Sequence, residues 1–251
     1  MRTTSRYAVP FSNVGHFYTH LFMLLYPTVV LALEQEWAMS YGELLTLALP
    51  GSVLFGLGAL PAGWLGDRWN ATAMMAIFFL GLGSAAVLTS LAVNPWQIAL
   101  GLSGVGLFAS IYHPVGIAML VNNAKQKGRT LGLNGVFGST GTACAALVAG
   151  GLIDSLGWQA AFYVPGAIAL VTGVGFMLSL TRTDAPLESE QNQQTSGHNA
   201  GFSVRRLIAV LAVTMICSGL IYQATSIALP KLFAVRLTDF SSGACWVWAA
   251  W

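Results

Sequence analysis

The sequence predicts an all-α membrane protein with seven transmembrane helices, and three observations support this fold class. Hydrophobic residues make up 55% of the chain and charged residues only 8%. A soluble domain carries about 25% charged residues, so these few charges could not cover its surface. The charges also separate long uncharged blocks, and a helix needs about 20 apolar residues to cross a bilayer. Finally, the blocks are continuously apolar, whereas strands of a membrane barrel would alternate.

The uncharged blocks define the predicted spans. The longest block, residues 69–124, contains a break at Asn94-Pro95 and therefore holds two helices. Together with the other blocks it gives seven predicted spans: 14–33, 44–66, 71–92, 96–121, 130–153, 158–180 and 206–229.

One long polar segment, residues 181–203, interrupts this pattern after the sixth span. It is rich in Gln, Ser, Asn and Gly, which is typical of a flexible linker. We therefore predict a six-helix transmembrane bundle over residues 1–180, a cytoplasmic linker over 181–203, and the start of a second bundle with one transmembrane helix over 204–251.

The basic residues predict the orientation, because Lys and Arg are enriched on the cytoplasmic side of membranes. If the N-terminus is cytoplasmic, the other side receives only Lys231 and Arg236. The cytoplasmic side then receives Arg2, Arg6, Arg68, Lys125, Lys127, Arg129, Arg182, Arg205 and Arg206. We expect a multi-pass protein of the cell membrane (the inner or plasma membrane), with a cytoplasmic N-terminus.

Several classes of function lack their sequence signals. Cys144, Cys217 and Cys245 are far apart and show no metal or redox spacing. The chain contains no phosphate-binding G-x-x-x-x-G-K-[ST] loop, H-E-x-x-H helix or G-x-S-x-G elbow. The linker is as acidic as it is basic, which gives no nucleic-acid footprint. We predict no cofactor, no nucleic-acid partner and no enzymatic activity; the expected partners are the lipid bilayer and a small solute.

Three histidines are the strongest candidates for a site within the spans. His16 and His20 are four residues apart and share one helix face. At 1.5 Å per residue, His20 lies roughly 9 Å from the cytoplasmic end of the first span, and His113 roughly 12 Å from that of the fourth. Ionisable groups at membrane depth usually line a solute or ion path, and histidine exchanges protons near neutral pH. Structural packing is an equal alternative, and metal binding a lesser one, because no Cys or acid completes a ligand set.

Other polar and small residues allow less specific functional interpretations. Tyr26 and Tyr112 are candidates for the same path, and Gln97 and Asn134 are further candidates for substrate contact, although each could be structural. Tyr26-Pro27 and His113-Pro114 place prolines inside spans, where proline removes a backbone hydrogen bond and bends the helix. Small residues allow close helix packing, which is the favoured interpretation of four glycines in span five: Gly132, Gly135, Gly138 and Gly141.

Three motifs in order resemble the major facilitator superfamily of carriers. They are Gly63-Trp64-Leu65-Gly66-Asp67-Arg68 after span two, Gly128-Arg129-Thr130-Leu131-Gly132 at span five, and Leu156-Gly157-Trp158-Gln159-Ala160-Ala161-Phe162 before span six. The resemblance implies a major-facilitator-type N-terminal six-helix bundle plus a seventh transmembrane helix. It also implies that Gly63, Asp67 and Arg68 act as a gating latch between two halves. From the residues alone, Asp67 could cap a helix or pair with Arg129, or both charges could be simply solvated.

Within that superfamily the chain is similar to fosmidomycin-resistance-type exporters at Gly15-His16-Phe17 and at residues 109–114. Members of that type tend to carry an acid where His20 stands. The chain departs from other family patterns too: span four has no Arg before Gly104-Val105-Gly106, and span five keeps only Gly150-Gly151 of the antiporter motif. These departures leave coupling to protons open.

The C-terminal segment after span seven is unusual, with Trp246, Trp248 and Trp251 close together. Carriers of this superfamily have about twelve helices in two halves, so we expect a truncated or frameshifted product. A natural aromatic belt at the membrane interface is the alternative.

The resulting functional prediction is secondary active transport of a small solute by alternating access, with efflux as the direction and protons as a possible coupling ion. Two alternatives stay open. One is a fragment that transports nothing alone, and the other is an intramembrane enzyme using the histidines, for which no matching catalytic acid is visible in the spans.

Overall fold

A computed structural model describes residues 7–181 and 204–236 of the chain, and within them every regular element is a helix. Six helical stretches are long and apolar enough to cross a membrane. One of them, Tyr41–Thr89, has 49 residues, or about 74 Å of helix, which is more than twice the roughly 30 Å of hydrocarbon. It therefore holds two crossings, and the predicted fold class of a six-helix bundle plus a seventh transmembrane helix is confirmed.

Nine α-helices and two π-helical turns make up the described residues. In order they are α1 Ala8–Trp37, α2 Tyr41–Thr46, α3 Leu49–Leu65, a first π-turn Gly66–Asn70, α4 Ala71–Thr89, α5 Pro95–Ala109, a second π-turn Tyr112–Gly116, α6 Ile117–Asn123, α7 Lys127–Leu156, α8 Ala160–Thr181 and α9 Val204–Arg236.

Asparagines start two of the helices. Asn70 has an extended backbone (φ −159°, ψ 109°), and its Oδ1 accepts the backbone N–H groups of Thr72 and Ala73 at 2.9 and 3.0 Å. Asn94 accepts the N–H of Gln97 at 3.0 Å and is followed by proline. Asparagine caps supply partners for N–H groups that have none inside the helix, so these two residues separate α3 from α4 and α4 from α5.

The turn after α1 is also set locally. Ala38 has φ 51° and ends the helix in the left-handed conformation. Ser40 and Glu43 then form a capping box, in which the Glu43 carboxylate accepts the N–H of Ser40 at 2.9 Å and the Ser40 hydroxyl accepts the N–H of Glu43 at 3.3 Å. The box begins α2, so α3 starts at Leu49 rather than at the predicted residue 44.

The helices pack in four main pairs: α1 with α7, α4 with α8, α3 with α5, and α4 with α5. Aromatic and aliphatic side chains fill the space between the pairs. The largest fully buried ones are Tyr112, Phe22, Phe78, Phe79, Phe162, Phe176, Leu25, Leu33, Leu44, Met75, Leu82 and Ile98. The bundle therefore has a single hydrophobic core. Buried polar residues of α1 and Tyr112 of the second π-turn lie in this core.

The outer surface of the bundle is apolar. Leu60, Leu100 and Trp96 are 78%, 75% and 83% exposed, and the best spanning window of α9 has no buried residue. Soluble proteins rarely expose contiguous apolar patches of more than a few hundred Å². Lipid is therefore the solvent around these helices, and the chain is a multi-pass membrane protein.

The observed boundaries differ from the predicted spans in understandable ways. The first helix begins at Ala8 instead of residue 14, and the fourth span consists of α5, the second π-turn and α6. The predicted linker 181–203 lies outside the described residues apart from Thr181, and so do the C-terminal tryptophans. Their assignment stays a prediction.

Candidate functional site: a histidine cluster on α1 and the second π-turn

His16 and His20 form the part of the cluster that lies on α1. Their spacing of four residues places both rings on one face of the helix, with ring centroids 5.0 Å apart and the two Nε2 atoms 3.2 Å apart. His16 Nδ1 lies 2.8 Å from the backbone carbonyl oxygen of Asn134. A carbonyl only accepts, so Nδ1 carries the proton, and Nε2 of neutral His16 accepts a hydrogen bond from His20 Nε2.

His113 joins the cluster from the second π-turn. Its ring centroid lies 5.5 Å from that of His16 and 5.7 Å from that of His20. Pro114 has no N–H to donate, and the chain here makes a wide π-helical turn, a feature that is frequent at functional sites. All three rings are partly exposed, so the structure brings together the three histidines that the sequence singled out.

Asn134 on α7 holds the cluster in place. It is 2% exposed, and its Nδ2 donates to the Tyr112 hydroxyl at 2.8 Å and to Asn13 Oδ1 at 3.0 Å. Its backbone oxygen accepts the N–H of His16 Nδ1. One residue thereby links α1, the second π-turn and α7. The sequence marked Asn134 as a candidate for substrate contact, but its side chain is buried and already bonded.

Tyr112 lies behind the histidines rather than among their exposed atoms. It is fully buried, and its ring stacks on His16 with centroids 5.1 Å apart. A Cβ on Gly15 would lie 2.9 Å from this ring, so only glycine allows the approach. Gly138 has the same role toward His16, because a Cβ there would lie 2.6 Å from His16 Nε2. The glycines of α7 thus differ in their packing, since a Cβ on Gly135 would have no atom within 4 Å.

Tyr26, the remaining candidate on α1, lies away from the cluster. It is 2% exposed, and its hydroxyl donates to the carbonyl of Leu44 at 2.8 Å. This bond ties α1 to α2 and accounts for the hydroxyl without a solute. A place for Tyr26 on a solute path stays a prediction.

The predicted gating motif lies at the end of α3 and in the first π-turn. A Cβ on Gly63 would lie 3.2 Å from Pro114 Cβ, so this glycine packs against the second π-turn. Arg68 is exposed and stacks over the Trp64 ring at 4.9 Å. Asp67 is exposed as well. The cap of α4 is Asn70 rather than Asp67, and in the described part of the chain no ion pair joins Asp67 to Arg129.

The sequence analysis missed the contacts between the bundle and α9. Lys231 Nζ lies 2.7 Å from the Glu34 carboxylate, which is the one ion pair within residues 7–181 and 204–236. The Tyr41 hydroxyl donates to the carbonyl of Ile227 at 2.8 Å. A signal was present, because the predicted spans 14–33 and 206–229 end on the same side of the membrane and are followed by Glu34 and Lys231. The pattern does not show that the two side chains meet.

A groove of about 430 Å³ lies between α1 and α7, outside the cluster. Its lining is almost wholly apolar and consists of Val14, Phe17, Tyr18, Val136, Phe137 and Thr140. None of the predicted site residues lines it. The three histidines lie instead on α1 and in the second π-turn. Their ring nitrogen atoms are available for hydrogen bonding or metal coordination.

The fold and the cluster define a multi-helix membrane protein with polar groups held at membrane depth. A family model described as the Major Facilitator Superfamily matches residues 14–250. The chain belongs to this superfamily. The resemblance to its fosmidomycin-resistance subtype is not confirmed by the similar proteins.

Several curated relatives and solved structures are similar to the chain. The puromycin resistance protein pur8 of Streptomyces alboniger is 29% identical over 136 residues, covering 53% of this chain and 26% of the relative. The 4-hydroxybenzoate transporter PcaK of Pseudomonas aeruginosa is 30% identical over 156 residues, covering 59% and 34%. The matches thus span about a quarter to a third of these relatives' length.

The crystal structure of a D-xylose-proton symporter matches with a TM-score of 0.52 and 14% identity, covering 96% of this chain and 59% of that one. At this identity the likeness concerns the fold alone.

Proposed function

We propose that the chain carries out secondary active transport of a small solute across the cell membrane, by alternating access, with its N-terminus in the cytoplasm. The observation that carries this proposal is the cluster of His16, His20 and His113, partly exposed in predicted spans that contain no Asp, Glu, Lys or Arg. Ionisable side chains in such positions usually line a solute or ion path. The family and the fold both favour a carrier over an enzyme.

The depth of the cluster supports a path through the bilayer. His20 is the thirteenth residue of the 30-residue helix α1, which places it about 18 Å from the start of the helix and about 26 Å from its end. Carriers bind their substrates near the middle of the membrane. His20 is thus about twice as far from the observed start of α1 as the roughly 9 Å predicted from a span that began at residue 14, and this interior position supports a solute site.

The proposed path consists of His16, His20 and His113, with Tyr112 positioned behind them and Tyr26 further along α1. The gating role of Gly63, Asp67 and Arg68 belongs to the same proposal. Its support is that Gly63 packs on Pro114, the neighbour of His113. A movement of the end of α3 would thus reach the second π-turn directly.

Efflux is the proposed direction, on the basis of the resemblance to exporters and of a relative named for puromycin resistance. The other relative is named for the transport of 4-hydroxybenzoate. Puromycin and 4-hydroxybenzoate are therefore the two solutes to test first, because they differ strongly in size and charge.

The test is transport by the purified chain in liposomes, with labelled puromycin or 4-hydroxybenzoate and an imposed gradient of solute or of protons. We expect movement of at least one solute. A hydrogen bond between a histidine and a charged group of the solute is worth roughly 1.5–3 kcal/mol. His20→Ala and His113→Ala should therefore each slow transport about tenfold or more. His198→Ala, which alters the remaining histidine of the chain, is the matched control and should leave the rate unchanged.

Two results would count against the proposal. If the chain moves neither solute under any gradient, the alternative of a chain that transports nothing alone is favoured. If His198→Ala slows transport as much as His20→Ala, the cluster is not the path. For the gating motif, Asp67→Asn should slow transport without a loss of helix content, whereas Asp154→Asn, a second exposed carboxylate, should not.

A further inference from the structure

We propose that His16, His20 and His113 form a binding site for a first-row divalent transition-metal ion such as Zn²⁺, with one coordination position left open. Each histidine offers one nitrogen atom, and these three atoms all lie within 4.8 Å of one another. Imidazole is a preferred ligand of zinc, nickel and copper ions. The inference goes beyond solute transport, because a metal can bind here whether or not the chain moves a solute.

The separation of the first two ligands already matches metal coordination. Zinc binds imidazole nitrogen at about 2.0–2.1 Å with tetrahedral geometry, so two ligand atoms on one ion lie about 3.3 Å apart. His16 Nε2 and His20 Nε2 are 3.2 Å apart. An ion about 2.1 Å from both atoms would lie to one side of the line that joins them, with the His20 proton carried on Nδ1 instead of Nε2.

The surroundings of His16 resemble those of a metal ligand. Metal-binding histidines almost always donate their other ring N–H to a carbonyl or carboxylate, which fixes the ring and leaves a lone pair toward the metal. His16 Nδ1 donates to the Asn134 carbonyl at 2.8 Å, so Nε2 carries the lone pair, which accepts from His20 here and would bind the metal. Tyr112 stacked on one face and Gly138 beneath the ring hold it in that orientation.

His113 supplies the third ligand from another part of the chain. Its candidate nitrogen must approach by at most about 1.5 Å to reach the tetrahedral spacing of about 3.3 Å. The ring is partly exposed, and no hydrogen bond to it is found within the described residues, so a side-chain rotation can close this gap. Rotations of partly exposed side chains are fast and cost little.

The open position distinguishes this site from a structural zinc site. Zinc sites with three protein ligands keep the fourth position for water or substrate. The three histidines are partly exposed and no carboxylate belongs to the cluster within the described residues, so water or an anionic group of a solute would complete the set. The sequence disfavoured a metal because no Cys or acid was near, but three convergent imidazoles meet the requirement without either.

The test is the binding of Co²⁺ to the purified chain in detergent, without a polyhistidine tag and without solute. Co²⁺ prefers the same ligands as Zn²⁺ and shows intense visible absorption when four-coordinate. We expect one bound Co²⁺ per chain with such a spectrum, displaced by Zn²⁺.

Variants locate the ion. Mutation of groups that merely orient ligands weakens metal binding by about 10–100-fold, so His16→Ala, His20→Ala and His113→Ala should each weaken it by at least that much. His198→Ala should leave it unchanged. Gly138→Ala should weaken binding because its Cβ would meet the His16 ring, whereas Gly135→Ala, with nothing within 4 Å, should not. Circular dichroism confirms equal helix content, and His→Gln replaces any alanine variant that loses it.

Three outcomes would overturn the proposal: no Co²⁺ binding by the folded chain, only a six-coordinate spectrum, or equal binding in the wild type and all three cluster variants. The liposome assay is separate from this measurement. Binding without transport would retain the metal site and reject the carrier function, and transport without binding would do the reverse.

Discussion

The two ends of α1 make contacts of different kinds. In its first half, α1 meets α7 and the second π-turn through close glycine contacts and a buried network centred on Asn134. At its other end, it meets α9 through the half-exposed pair Glu34–Lys231. The first contact desolvates its polar groups, whereas the second leaves them partly hydrated. Buried polar contacts are costly to break and exposed ones are not, so the first should fix the bundle and the second should permit α9 to move.

Asn134→Leu should cause the largest loss of stability. It removes the partner of Asn13 and Tyr112 inside the bundle, and each buried polar group left unpaired costs about 1–3 kcal/mol. We expect a loss of roughly 2–4 kcal/mol in the free energy of unfolding, measured by denaturant titration in detergent. Gln97→Leu, at an exposed helix start, is the control. If Asn134→Leu lowered the free energy of unfolding no more than the control, the buried network would not be what distinguishes the first half of α1 from its other end.

Gly141→Ala should cause the second largest loss of stability. A Cβ here would collide with the backbone carbonyl oxygen of Phe17, and backbone cannot rotate away as a side chain can. Overpacking of this kind costs about 1–3 kcal/mol. Gly135→Ala on the same helix meets nothing within 4 Å and should instead be neutral or stabilise by up to about 1 kcal/mol, the helix propensity of alanine over glycine. Equal melting temperatures of the two variants would contradict the close contact of α1 with α7.

The Glu34–Lys231 pair should contribute much less. The two side chains are 21% and 40% exposed, and pairs of this kind are worth about 0.2–1 kcal/mol. A double-mutant cycle with Glu34→Gln and Lys231→Met should give a coupling energy in that range, and added salt should reduce it. A coupling energy above about 3 kcal/mol, typical of a broken buried pair, would show that α9 is held as firmly as α7.

Tyr222→Phe should have the smallest effect. Its hydroxyl lies 2.9 Å from Thr142 Oγ1 in an exposed contact between α9 and α7. Surface substitutions usually change stability by at most about 0.5 kcal/mol. The same thermal unfolding measurement applies, with Tyr112→Phe as the matched buried case. If the two tyrosine variants lost equal stability, burial would not be what separates the contacts inside the bundle from the contacts made by α9.

Much of the fold was predictable because it depends on local sequence and composition. The long apolar blocks predicted the spans, and Asn94-Pro95 marked a break that the structure confirms with a capped helix start. The gap between the predicted spans 44–66 and 71–92 coincides with the first π-turn, and capping by Asp67 was one of three open alternatives, whereas the cap is Asn70. An asparagine followed by a helix-forming run is a cap signal, and that signal could have identified Asn70.

The site was only partly predictable. Helical spacing alone places His16 beside His20, and the estimated depths suggested that His113 lies at a similar level. The structure adds their distances and the bond from His16 to the Asn134 carbonyl, which spans 118 positions in the sequence. A backbone carbonyl has no residue-type signal, so sequence reasoning had no means of finding this bond.

The sequence by itself determined that lipid surrounds this protein and where its helical blocks are interrupted, because solvent preference and helix capping depend on composition and on neighbours a few residues apart. Only the tertiary structure decided which helices pair, that the wide turn at Pro114 brings His113 to His16 and His20, and that Glu34 meets Lys231. These contacts join residues far apart in the chain, and they form only when the packing of α1 against its neighbours fixes the rotation of each helix.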